Sequence, residues 1–145
     1  MKILFPAETA RDGIIETMHC DPVEGGFELQ NSPFYVYGVS YLDVVAAEVK
    51  DDILTFTHVL RRGGHSTYRL LVSGEAQAAQ FEERWPELKS LGCTSEEGGR
   101  DGRRLYSVDV PPGADTHAIY GLLDGGEAAG AWTFEEGHYQ ASPDL

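Results

Sequence analysis

Thr67-Tyr68-Arg69-Leu70-Leu71-Val72, followed at once by the residues from Ser73 to Gly92, is the stretch on which the fold turns. The first six residues are rich in strand formers. Beyond Ser73 the period changes: Ala78, Phe81, Trp85, Leu88 and Leu91 recur at three- and four-residue steps, with Glu82, Glu83, Glu87 and Lys89 on the other side. That is the pattern of an amphipathic helix packed on a sheet. Pro86 lacks an amide donor and crowds the preceding turn, so a kink or restart is expected at Trp85, and Gly92 supplies the stop.

Toward the C-terminus come Thr94 to Glu97, a turn region at Gly98-Gly99 and Asp101-Gly102, and the strand Leu105 to Val110, closed by Pro111-Pro112-Gly113. Asp115 is a good N-cap for a short helix through Ile119, Leu122 and Leu123, which Gly125-Gly126 is expected to end. Trp132 to Glu136 makes a last strand. The order strand, helix, strand, strand, helix, strand over residues 63–140 predicts a ferredoxin-like (βαββαβ) half.

Toward the N-terminus the pattern is mostly β. Strands are predicted at Ile14 to His19, Phe27 to Gln30, Asp43 to Val49 and Ile53 to Leu60, and the aromatic run Phe34 to Tyr41 also alternates as a strand. Met1 to Gly13 carries no sustained periodicity. The expectation is an α+β protein: one compact domain over residues 1–145, with a small β-sheet or barrel-like half at 14–62 packed on the ferredoxin-like half. Arg61 to Gly64 is the joint. A chain of 145 residues is long enough for one hydrophobic core and short for two.

Eleven Lys and Arg against 24 Asp and Glu give a formal net charge of −13. Such a surface repels phosphate backbones and anionic headgroups, which argues against nucleic acid and membrane partners. It attracts a basic protein. Two cysteines, Cys20 and Cys93, stand far apart without metal-knuckle or redox spacing, and the opening residues contain no long apolar run. A reduced, cytoplasmic setting is the expectation.

Three stretches occur together: Asn31-Ser32-Pro33-Phe34 through Tyr37 to Val45, Gly64-His65-Ser66-Thr67-Tyr68-Arg69, and Trp132-Thr133-Phe134-Glu135-Glu136-Gly137-His138. With Leu91-Gly92-Cys93 and Tyr106 to Pro112 they resemble a bacterial domain-of-unknown-function family of the 4265 type, over about Ile14 to His138. The resemblance implies a small, mostly stand-alone bacterial protein and carries no activity with it.

The candidate acid–base residues are Asp43, His65, Glu136 and His138, because an imidazole beside a carboxylate exchanges protons near neutral pH. In a regular final strand Glu136 and His138 share one side and Glu135 takes the other. Candidate binding residues are Tyr37, Tyr41, Ser66, Tyr68, Arg69 and Glu135, the tyrosines as contact surface and Arg69 as a clamp for an anion or a partner for a nearby acid. No H-x-x-x-H or H-E-x-x-H spacing occurs, so no metal is predicted, and no glycine loop has the context of a phosphate site, so no cofactor is. Two readings follow. The first is a protein-binding or regulatory module of the immunity or antitoxin kind, for a basic protein or a small molecule. The second is a small acid–base enzyme (cyclase, isomerase or hydrolase) with its cleft between the halves.

Overall fold

The structure, a computed structural model, describes residues 1–99 and 103–141. The turn expected at Asp101-Gly102 lies outside the described residues. Strands β1 (Lys2–Phe5), β2 (Glu16–Val23), β3 (Gly26–Leu29), β4 (Val44–Lys50) and β5 (Ile53–Arg61) form a closed barrel in that order, sealed by a parallel β1–β5 pairing at Leu4 and Thr55. There follow β6 (Ser66–Ser73), α1 (Gly74–Ser90), β7 (Thr94–Gly98), β8 (Arg103–Val110), α2 (Thr116–Ala128) and β9 (Thr133–His138). These four strands make a second sheet in the order β7-β8-β6-β9, antiparallel throughout. Two sheets and two helices in one short chain give the mixed, mostly β class expected from the sequence. Among the described residues no helix is long and apolar enough to cross a membrane.

Alternation explains both cores. In β2, Glu16, Met18 and Cys20 turn into the barrel while Thr17, His19 and Asp21 face out. Ile3 and Phe5, in the opening segment that lacked periodicity, are fully buried beside them. A four-residue strand is too short to display a period, which is why β1 was not legible. In the second sheet Tyr68, Leu70, Val72, Tyr106, Val108 and Val110 form one face with Phe81, Leu88, Ile119, Leu123 and Trp132. Helix α1 runs from Gly74 to Ser90 through Pro86 with no restart at Trp85; the proline is exposed, on the side where water can take the freed carbonyl. Helix α2 begins as expected, Asp115 accepting the Ala118 amide at 3.0 Å, but continues past Gly125-Gly126 to Ala128. The reason is packing: a Cβ on Gly126 would sit 2.1 Å from Trp132 Cζ2. The glycine there is a bed for an indole.

The larger correction concerns the aromatic run. Phe34 to Tyr41 is no strand, and only one isolated bridge, Ala10 to Val36, relieves its irregularity. The whole β3–β4 connection, residues 30–43, is a strap that crosses to the second sheet. Buried backbone without a ladder needs other partners. It finds them in the carbonyls of Thr9 and Gly137 and in side chains, two of which, Asp43 and Arg69, are residues that the sequence offers as chemistry.

Candidate functional site

The face of the second sheet opposite its helices is polar, and cross-strand register sorts it into three rows. Thr94, Asp109, Thr67 and His138 form the first, Glu96, Ser107, Arg69 and Glu135 the second, and Gly98, Leu105, Leu71 and Thr133 the third. Thr67, Arg69, Ser107 and Asp109 are all buried.

The strap is pinned mainly over the second row. Glu96 accepts the Ser32 amide at 2.9 Å, and Ser107 Oγ donates to the Pro33 carbonyl at 2.7 Å. Arg69 gives Nη1 to the Val36 carbonyl at 2.8 Å and Nε to Glu135 Oε1 at 2.9 Å. Its guanidinium passes over Gly137, where a Cβ would come within 2.9 Å of Nη1, and lies 4.6 Å from the centre of the Tyr37 ring. Tyr37 completes the set by donating its hydroxyl to Glu135 Oε2 at 2.5 Å. From the barrel side, the buried Glu16 carboxylate accepts three successive amides, Phe34, Tyr35 and Val36, at 2.7, 2.9 and 3.1 Å. Burial pushes the Glu135 carboxyl up, but the bonds from Tyr37 and Arg69 outweigh it and hold the group below the usual carboxylate range. Burial, and then the bond to Glu135, raise Tyr37.

Over the first row the strap ends in a turn from Ser40 to Asp43 with Leu42 at φ 68°, a conformation that favours glycine. Asp43 holds that turn. Fully buried, its carboxylate accepts Ser40 N, Arg62 Nη1 and Gly63 N, each at 2.9 Å. Ser40 Oγ and Thr67 Oγ1 share a hydrogen at 2.6 Å. Beside Thr67 on one flank, His65 Nδ1 meets both oxygens of Asp109 at 2.9 and 3.0 Å, and the Tyr41 ring stands edge-on to the imidazole at 5.1 Å. Burial raises the Asp109 carboxyl against the pull of His65. On the other flank, His138 Nε2 is buried with no partner among the described residues. Burial first, then Arg62, lowers the His138 pKa, and Asp43 offsets part of this.

The four acid–base candidates therefore do not meet as a set. Asp43, His65 and His138 lie around the first row, but Asp43 has its oxygens filled by three donors and His65 is turned to Asp109. Glu136 is exposed and pairs in register with Tyr68, away from His138. A bulge between Thr67 and Tyr68 shifts the register, so Glu135 and His138 share the barrel side, contrary to simple alternation. Among the binding candidates, Arg69, Glu135 and Tyr37 converge, Tyr41 backs His65, and Ser66 Oγ accepts the Gln140 amide at 2.8 Å. Tyr68 belongs to the helix-side core, its hydroxyl raised to about 12 by burial. Cys93 is buried too, which pushes its thiol up to about 11. Among the described residues no three His, Cys, Asp or Glu side chains gather as a metal would require.

Sequence reasoning missed Glu16, Thr67, Glu96, Ser107 and Asp109. The available signal was in β8, where Leu105, Ser107 and Asp109 alternate with Tyr106, Val108 and Val110. A strand with an apolar face to the helices and a second, polar face that is also buried announces that something polar covers it.

Where the strap stops, the third row stays open. A cleft of about 490 Å³ lies there, with Leu71 and Leu105 along its floor, Phe34 and Tyr35 of the strap beside it, and Arg11 and Arg103 around it. A second cleft of about 440 Å³ lies at the other edge of the strap, against Tyr41, Ser95, Glu96 and Asp109.

Residues 16–134 match the domain of unknown function DUF4265. The chain belongs to that family. The strap, β6 and the polar face of β8 fall inside the matched region, whereas Glu135, Gly137 and His138 of β9 lie just beyond it. A structure described as a novel crystal structure of a hypothetical protein from Neisseria gonorrhoeae is similar with a TM-score of 0.70 and 22% identity, covering 97% of this chain and 96% of that one. At that identity the likeness is one of fold. No curated protein matches the chain.

Proposed function

We propose that this member of the DUF4265 family is a binding or regulatory module, of the immunity or antitoxin kind, that works in the cytoplasm through a basic protein partner. The observation that carries the reading is the use made of Asp43, Arg69 and Glu135: the groups best suited to acid–base or anion chemistry are occupied in holding the strap. A net charge of −13 with the exposed acids Glu75, Glu82, Glu83 and Glu87 on one helix favours a cationic partner. We read the second sheet as a ferredoxin-like sandwich, supported by its β6-α1-β7-β8-α2-β9 sequence and its β7-β8-β6-β9 order.

Capture from a bacterial lysate at low and high salt tests this, with wild type and a His65→Gln/His138→Gln variant as baits. A stoichiometric basic protein, held by both baits and released by salt, is the expected result. An empty capture with folded bait overturns it.

One observation favours a second reading, a small acid–base enzyme. His65 has Nδ1 fixed by the Asp109 carboxylate, the arrangement of an oriented base. Turnover in a panel of ester, lactone and isomerase substrates that is lost in His65→Gln would replace the first reading with this one.

A further inference from the structure

The third row of the interface sheet breaks the polar pattern of the other two. Where they present Asp109 and Thr67, then Ser107 and Arg69, the third presents Leu105 and Leu71, half-buried and uncovered by the strap. The last strap residues before the cleft are aromatic, Phe34 and Tyr35, both half-buried. The result is a recess with an apolar floor and aromatic side, and its volume of about 490 Å³ is that of a small-molecule site.

Its charge is opposite to that of the molecule. The chain carries only 11 Lys and Arg, and three of them, Arg11, Arg69 and Arg103, line this one cleft. Arg69 and Glu135 cancel one another through their 2.9 Å bond. Among the described residues that leaves Arg11 and Arg103 against Asp12, a local excess of one positive charge. Arg11 stands 3.6 Å from Glu135 with its side chain 72% exposed, a loose contact that a ligand can replace.

We propose that this cleft binds a small amphipathic carboxylate, its apolar ring or chain on Leu71 and Leu105 and its carboxylate held between the guanidinium groups of Arg11 and Arg103. Guanidinium forks match carboxylate geometry, and an excess of one charge matches a monoanion. A phosphate ester would bring a second negative charge into the field of a chain at −13 with nothing to balance it. The site is distinct from electrostatic docking of a basic protein on the acidic exterior, and either can fail without the other.

The test is a titration of the whole isotopically labelled chain, followed by amide NMR shifts, with 1-naphthoate, 1-naphthylmethanol and 1-naphthyl phosphate as probes. Saturable shifts centred on Leu71, Leu105 and Thr133 are expected with naphthoate. The alcohol, and naphthoate on an Arg11→Gln/Arg103→Gln variant, should each bind about tenfold more weakly. Thr133→Trp, an exposed position that fills the cleft, should abolish the shifts while the spectrum stays folded. The proposal is overturned by naphthoate shifts that do not saturate or centre elsewhere, by equal affinity for the alcohol or for the arginine variant, or by tighter binding of the phosphate.

Discussion

Arg69 and Glu135 face each other across the β6–β9 ladder, Nε to Oε1 at 2.9 Å, and through this pair the second sheet grips the Val36 carbonyl and the Tyr37 hydroxyl of the strap. The two residues are not equal in the pair. Arg69 is 1% exposed and the Glu135 side chain 37%. Removing the arginine leaves the buried Val36 carbonyl and the Glu135 carboxylate short of donors, whereas neutralising the glutamate leaves a group that water can reach. Arg69→Met is therefore expected to cost about 3 kcal/mol and Glu135→Gln about 1 kcal/mol. Urea denaturation of the two variants checks the asymmetry, and equal losses would show that the carboxylate, not the guanidinium, anchors the strap.

Glu16 makes a separate prediction, because its one carboxylate receives three successive strap amides. A glutamine at that position keeps the size and turns one acceptor into a donor aimed at other donors. Glu16→Gln should cost about 2 kcal/mol, and the amides of Phe34, Tyr35 and Val36 should lose hydrogen-exchange protection before the barrel strands do. Retained protection at those three amides would mean that the sheet alone holds the strap.

These pins explain how much was legible beforehand. The helical period from Ala78 to Leu88 and the alternation in β8 reflect burial by near neighbours, so local sequence displays them. The strap is held by bonds between residues far apart in the chain, from 18 positions for Phe34 with Glu16 to 98 for Tyr37 with Glu135, and no short window of sequence contains both partners. Its tyrosines alternate as a strand would, yet each meets a different surrounding: Tyr35 the open cleft, Tyr37 the Glu135 carboxylate and Tyr41 the His65 ring. Asp43, His65, Arg69 and Glu135 were recognisable as unusual; that Asp43 faces two amides and Arg62 was not.

Three glycines of α2 separate packing from propensity. A Cβ at Gly121 or Gly125 meets nothing within 4 Å, whereas at Gly126 it meets the Trp132 ring. Gly121→Ala and Gly125→Ala should each raise stability by about 0.5–1 kcal/mol through helix propensity. Gly126→Ala gains the same propensity but displaces an indole bonded to the Leu123 carbonyl at 2.9 Å, and is expected to lose about 2 kcal/mol or more. Thermal unfolding of the three single variants decides it. A stabilised Gly126→Ala would show that Trp132 has room to move.

The β4–β5 turn carries strain of another kind. Asp51 and Asp52 both have positive φ, 50° and 64°, in a two-residue hairpin loop whose geometry suits Asn-Gly. Two adjacent carboxylates in that conformation also repel. Asp51→Asn/Asp52→Gly is expected to stabilise the chain by about 1 kcal/mol, with the larger part surviving in high salt because it comes from the backbone. A gain that disappears in salt would assign it to charge instead.

Acid should weaken the fold over two separate pH windows, because two groups around the strap have lowered pKa values. Burial, with Arg62, keeps His138 neutral, so below about pH 6.5 the unfolded chain takes up a proton that the fold refuses. Its contribution is complete above that pH and declines as the pH falls toward the folded pKa. Glu135 acts lower down: burial raises it, the bonds from Tyr37 and Arg69 lower it further, and its stabilisation is present above about pH 4.5 and lost as the carboxylate is protonated. Asp109, raised by burial, runs the other way and blunts that second loss, since its protonation in the fold begins above the ordinary value of 3.8. Urea midpoints measured from pH 8 to pH 3 should fall first below about 6.5 and again below about 4.5. In His138→Gln the first fall should vanish and the second remain; in Glu135→Gln the reverse. A first fall that persists in His138→Gln would place the proton on another imidazole and remove the buried Nε2 from the account.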